Sequence, residues 1–263
     1  MMMGSSMDRC AVSVIVITLN EAERLGATLQ ALQWAQEIIV VDSGSTDGTL
    51  DIARQWATRV EHRDWSGFGA QKNHALSLAS LPWVLSIDAD ERVTPELAEE
   101  IQAFVNRDGG GYLAANLPRL SRYCGREIHH SGWWPDPVCR VFKRGHGRFS
   151  DDLVHEKIIC KGPVWNFQGL LMHDSFQNLD QVLHKLNQYS REGALNLQRK
   201  GKKSSLRKAI GHGLWAFFRT YVLQRGFLDG REGFILAVSN AEGTYYRYLK
   251  LMYLNERKPA ETT

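Results

Sequence analysis

The four cysteines of this 263-residue chain, Cys10, Cys124, Cys139 and Cys160, have no metal-type spacing and suggest no disulfide framework. Free thiols in a reducing compartment are expected. No uninterrupted apolar run approaches the ~20 residues that span a bilayer, and Met1 to Cys10 lacks the charged-then-apolar order of a signal peptide. A cytoplasmic location is therefore expected. A net charge of +3 is too small to argue for a nucleic-acid partner. No Gly-X-Gly-X-X-Gly follows the first apolar run and no P-loop is present, which disfavours hydride transfer and NTP hydrolysis.

What is present suits a globular fold: 43% apolar and 23% charged residues, on a chain long enough to bury a substantial core. The stretch Trp83 to Glu91 organises the rest. An apolar run, Trp83 to Ile87, reads as a buried parallel strand and ends in Asp88-Ala89-Asp90-Glu91. Thr94, Pro95 and Glu96 follow as a helix start, with an N-cap, a proline at the first helical position and an acid in the first turn. Asp88 and Asp90 are thus expected at the carboxyl end of a strand, where open α/β sheets bind ligands. Alternation turns both toward one divalent cation, Mg²⁺ or Mn²⁺.

Upstream, Ala11 to Thr18 reads as a first strand ending at Leu19-Asn20-Glu21. A helix over 22–34 carries Leu25, Leu29 and Leu32 at helical spacing, and a second strand, Glu37 to Val41, runs into the polar loop Asp42 to Gly48. A helix over 49–56, a short strand over 58–62 and a helix over 70–79 complete the alternation. The order predicts an α/β fold, a mixed but mostly parallel sheet flanked by helices. Beyond the helix starting at Pro95, strands are expected over 112–117, 138–142, 154–159 and 164–172. The aromatic loop His129 to Asp136 lies among them, and the Trp133-Trp134 pair could be a packed loop or a flat platform for sugar.

From Leu179 onward the pattern is helical. Leu206, Ile210, Leu214, Phe217, Phe218, Tyr221 and Val222 recur at helical steps just after a cluster of Arg199, Lys200, Lys202, Lys203, Arg207 and Lys208. Such a segment is either an ordinary core helix or one that lies on an anionic membrane surface.

Three stretches carry a resemblance: Ser13 to Glu21 (SVIVITLNE), Ile39 to Gly48 (IVVDSGSTDG) and Ile87 to Asp90 (IDAD). Together they resemble the N-terminal signatures of family 2 glycosyltransferases, which have the GT-A fold. Gly67 to Asn73, Ser131 to Asp136, Asp151 to Glu156 and Gly226 to Gly230 are similar to motifs of a bacterial branch that includes lipopolysaccharide core β-1,4-glucosyltransferases. The similarity runs from Val12 to about Leu254.

The resemblance implies a division into a flexible N-terminus (1–10), a GT-A domain (11–175) and a helical region (176–263) suited to membrane docking. It implies that Thr18, Asn20, Glu21 and Asp42 bind the nucleoside, that Lys72 and Asn73 approach the nucleotide or its sugar, and that Asp88 contacts ribose or metal. Asp90 becomes the principal metal ligand, with His173 completing the set. Glu156, or else Asp152, would be the base; Trp133, Trp134, Asp136 and Arg140 would face the acceptor. The expected reaction is metal-dependent, inverting transfer of a hexose, glucose from UDP-glucose, to a heptose of the lipopolysaccharide inner core. It would take place on the cytoplasmic face of the inner membrane. Three alternatives stay open: another sugar or envelope glycan, a sugar nucleotidyltransferase, and a sugar-binding scaffold without turnover. The second wants a glycine- and base-rich loop after the first strand, where this chain has the acidic Leu19 to Glu23.

Overall fold

The computed structural model describes residues 9–150 and 157–256. The first half alternates as expected: β1 (Cys10–Thr18), α1 (Ala22–Gln30), β2 (Ala35–Asp42), α2 (Thr49–Trp56), β3 (Arg59–His62), α3 (Phe68–Leu78) and β4 (Trp83–Asp88). A three-residue strand, β5 (Glu91–Val93), precedes α4 (Pro95–Asn106), whose N-cap Thr94 accepts from the Leu97 amide. Next come β6 (Ala114–Tyr123), β7 (Arg126–Glu127), β8 (Pro137–Lys143), β9 (Gly147–Phe149), β10 (Ile158–Cys160), β11 (Val164–Asn166) and β12 (Leu171–Phe176). Three long helices follow: α5 (Leu179–Arg199), α6 (Leu206–Phe218) and α7 (Gly230–Glu256).

The chain forms two compact units, one of residues up to Arg119 with Asp136–His173, the other of Leu120–Pro135 with the residues from Asp174 on. The segment 120–135 groups with the helices of the second unit.

In the first unit β3, β2, β1 and β4 lie side by side and parallel, and β8 and β6 then add antiparallel. β5 pairs antiparallel with β12. This is the α/β, GT-A arrangement the sequence led us to expect. The β-branched runs of β1 and β2 are buried on both faces because helices cover both. Val12, Val14 and Val16 pack with Leu25, Leu29, Leu97, Ile101 and Phe104 of α1 and α4. Ile15 and Ile17, pointing the other way, pack with Ala75 and Ala79 at α3 and with Phe142 and Phe149.

One expected strand is corrected. The run 164–172 is two strands, β11 and β12, separated where Phe167 turns into the core and Gly169 lies against the backbone of Leu97. A Cβ on Gly169 would come within 2.5 Å of the Leu97 Cα, so the chain must bend past α4 at a glycine. Of the expected strand over 154–159, residues 154–156 lie outside the described residues, and the rest enters β10.

Candidate active site

Register brings the sequence motifs to one end of the sheet. Thr18 pairs with Asp42 and Ile17 with Asp88, so the carboxyl ends of β1, β2 and β4 lie level. β1 sits between β2 and β4, the point where the chain switches direction across the sheet and where such folds bind ligands.

Asp42 is fully buried and closes its own loop. Its carboxylate accepts from the Gly44 and Ser45 amides at 2.8 and 2.9 Å and from the Ser45 hydroxyl. Gly44 takes φ +99°, a conformation that suits glycine and lets both amides fold back. Asn20 holds the facing loop with φ 55°, uncommon for a residue with a side chain; its amide donates to the Ser45 hydroxyl and its Oδ1 accepts from the Thr46 amide. The Glu21 amide donates to Thr49 Oγ1. Asp47 accepts from the Thr49 amide at the start of α2. Asn20, Glu21 and Asp42 thus shape a two-loop rim. At its base Thr18 Oγ1 is buried with no hydrogen-bond partner among the described residues.

Beside the rim, two carboxylates sit among cations. Asp88 meets Lys72 Nζ at 2.7 Å and the Arg140 guanidinium at 2.6 Å. Burial alone would raise its pKa, but Arg140 and Lys72 hold the carboxyl far below the usual range. Asp90 lies 3.5 Å from His173 Nε2 and 3.8 Å from Arg24. Its burial is likewise outweighed by His173, with Asp88 opposing, so its pKa is also lowered. Arg24 in turn holds Glu21.

Glu91 differs from the two aspartates beside it. It is fully buried, accepts from the Asp88 amide, and pairs with Arg140 and with Arg119, which also holds Asp136 at 2.7 Å. Of the three carboxylates that end β4, this one therefore braces the turn from beneath. Arg140, read from sequence as an acceptor-facing cation, is buried and ties Asp88 to Glu91; Asp136 is engaged by Arg119. Lys72 is buried against Asp88, and both ends of the Asn73 side-chain amide bind the Phe149 backbone. Asp152 and Glu156 lie outside the described residues.

For a divalent cation the donor set is partly assembled. Asp90 Oδ2 and His173 Nε2 stand about as far apart as neighbouring ligands on an octahedral ion, roughly 3 Å for 2.0–2.1 Å bonds. Asp88 faces Lys72 and Arg140, and no group of three ligating side chains forms a cluster among the described residues. The chemistry fits a hard cation that shares its shell with a phosphate, leaving basic groups to meet the remaining phosphate charge.

In the second unit the aromatic loop is pinned by a residue that sequence reasoning passed over. Asp229, 2% exposed, accepts from the His129 and His130 amides, His130 Nδ1 and the Ser131 hydroxyl at 2.7–3.2 Å. It lies in the Gly226 to Gly230 motif, which was the available signal. The two tryptophans part ways: Trp133 packs with Tyr123 and Phe176, while half-buried Trp134 meets the edge of His129 and precedes a cis peptide bond to Pro135. Both rings are half-buried.

The model of the family described as Glycosyl transferase family 2 matches residues 13–157. The lipopolysaccharide core biosynthesis glycosyltransferase LpsC of Rhizobium meliloti (strain 1021) is 32% identical over 94% of this chain and 92% of that protein. An uncharacterized glycosyltransferase of Rickettsia prowazekii (strain Madrid E) is 29% identical over 93% of this chain and 87% of its own length. Among solved structures, S. aureus TarS 1-349 in complex with UDP-GlcNAc is 16% identical and covers 94% of this chain and 92% of that one, with a TM-score of 0.49.

Proposed function

The chain belongs to glycosyl transferase family 2, and on that premise we propose that it moves glucose from UDP-glucose to a heptose of the lipopolysaccharide inner core, with inversion at the transferred carbon. The observation that carries the reading is the placement of Asp88 and Asp90 at the carboxyl end of β4, level with the Asp42 loop and ringed by Lys72, Arg140 and His173. The similarity to LpsC supports the choice of acceptor.

In this reading the uridine lies on the rim formed by Asn20, Glu21 and the Asp42 loop, with Thr18 Oγ1 beneath it. The diphosphate lies over Asp88 and Asp90. Asp90 and His173 would hold Mg²⁺ or Mn²⁺, with Asp88 beside them; the cation, when bound, offsets charge on the departing diphosphate. Lys72 and Arg140 neutralise phosphate oxygens while Glu91 and Arg119 keep Arg140 from swinging away. An acceptor hydroxyl attacks the anomeric carbon as the bond to the diphosphate breaks. Its proton passes to Glu156 or, failing that, Asp152. The work takes place on the cytoplasmic face of the inner membrane; no helix among the described residues is long and apolar enough to cross a bilayer.

The test is UDP release and sugar transfer by the purified protein. UDP-glucose and other nucleotide sugars are offered with Mg²⁺, Mn²⁺ or EDTA, with deacylated core oligosaccharide as acceptor. The expected result is metal-dependent release that rises with acceptor and is greatest with UDP-glucose. Nucleotide binding without release from any donor would sink the reading and favour a sugar-binding scaffold.

A further inference from the structure

In α6 the usual order of burial is reversed. The side turned to α7 is made of small residues: Ala209 and Gly213 are buried, as is Thr220 in the helical turn that follows, and a Cβ on Gly213 would lie 3.2–3.3 Å from Tyr245 and Ala241. His212 stacks on Tyr248 at 3.9 Å, and Phe217 meets Phe234 edge-on at 5.8 Å. These contacts let the two helices approach closely and leave a row of larger apolar residues on the outer side. Leu206, Ile210, Leu214, Phe218 and Val222, each four positions from the last, are 43–69% exposed, and Trp215 beside them is 55% exposed. Single exposed apolar residues are ordinary; a continuous row along a whole helix is the mark of a surface that meets something.

Charge identifies what it meets. From Arg199 to Leu228 the sequence holds eight Lys and Arg residues and no acid. Lys202, Lys203, Arg207 and Lys208, around the start of the row, are all exposed. Pairing this face in parallel with a second copy would bring two such cation clusters together, at a cost in repulsion. A surface that is apolar within and negative at its boundary satisfies both features. We propose that α6 lies flat in the interface of an anionic phospholipid bilayer, with the Leu206 to Val222 row sunk among the acyl chains, Trp215 at headgroup depth and the flanking cations on lipid phosphates. The proposal deepens the membrane location in the reading above and identifies the surface responsible.

The test is flotation of the full chain with vesicles of phosphatidylcholine alone or mixed with phosphatidylglycerol, in parallel with turnover of the soluble deacylated acceptor. The wild-type protein is expected to float with the mixed vesicles and to be released by salt. Leu214→Glu combined with Phe218→Glu should weaken binding about tenfold or more, with unchanged circular dichroism and soluble-acceptor turnover. Lys202→Glu with Lys203→Glu, which leaves the apolar row intact, should abolish the preference for phosphatidylglycerol. The proposal fails if the wild type ignores mixed vesicles or if the apolar double variant floats as well as wild type. It also fails if the wild type is a dimer that the double variant turns into monomer without vesicle binding, since the face would then belong to a second copy. Absence of soluble-acceptor turnover in the wild type would count against the proposed reaction and leave the vesicle result standing.

Discussion

The end of β4 and the outer side of α6 break opposite halves of the same rule. At β4 the first unit buries charge: Glu91 is fully enclosed, Arg140 is 7% exposed, and Asp88 and Asp90 lie among cations. On α6 the second unit exposes oil, with Leu214 69% accessible while Gly213 beside it is packed away. Buried ions are retained when each has partners, and they add little stability compared with an apolar core. Exposed apolar rows cost solubility and add none. Both departures are therefore better explained by a ligand, a phosphorylated one at β4 and a lipid one at α6, than by the needs of folding.

The comparison is sharpest where function and stability separate. Asp90→Ala is expected to lower metal-dependent transfer about a hundredfold or more, because it removes the ligand that faces His173. Asp51→Ala should leave the rate unchanged: that side chain is 87% exposed and pairs only with Arg54 among the described residues. Equal losses in the two variants would undo the assignment of Asp90. Arg140→Met acts on the frame. It leaves Asp88 with Lys72 and buried Glu91 with Arg119, and should cost roughly 3 kcal/mol of stability by urea unfolding at neutral pH. A loss of activity without that loss of stability would mean that Arg140 serves the substrate more than the fold.

Much of the first unit was legible in the sequence because its signals are local. The β-branched runs of β1, β2 and β4, the Thr94-Pro95 helix start and the acidic strand end each carry their reading within a few residues. What escaped depends on pairing across the chain. β5 is three residues long and becomes a strand only by meeting β12. Arg24 reaches Asp90 from α1, and Arg140 lies beneath the site because β8 pairs antiparallel with β4, which no spacing encodes. In the second unit, periodicity grouped Phe217 and Tyr221 with the Leu206 to Val222 row. The structure separates them, since both rings pack on Phe234 of α7. An amphipathic pattern gives the angle of an apolar face; it does not say whether protein or solvent lies opposite.

One substitution made in both regions measures that ambiguity. Leu85→Ala empties a site in the middle of the sheet where the side chain is fully buried, and should cost about 2–5 kcal/mol. Leu214→Ala removes the same atoms from water and should change stability by less than about 0.5 kcal/mol. A large cost at Leu214 in chemical unfolding would mean that α6 has an apolar neighbour within the protein, and would remove the ground for a lipid-facing row.

The smallest expected effect concerns carboxylates outside the site. Glu37 of β2 receives the Ser13 hydroxyl from β1 and the Ser80 amide and hydroxyl from the turn before β4. Partial burial would raise its pKa, but these donors, Ser13 foremost, and the nearby Arg59 bring it below the ordinary value. A group whose folded pKa is depressed stabilises the fold fully above its unfolded pKa, near 4.3, and loses that contribution as pH falls through the folded value. Stability should therefore decline on acidification below about pH 5, and Glu37→Gln should flatten part of that decline. Leu214→Glu supplies the contrast, because a carboxylate placed in water on α6 has the same pKa folded and unfolded and should leave the slope as it was. If unfolding midpoints measured from pH 6 to pH 3 fall equally steeply in the wild type and in Glu37→Gln, the three donors at Glu37 are not holding its charge.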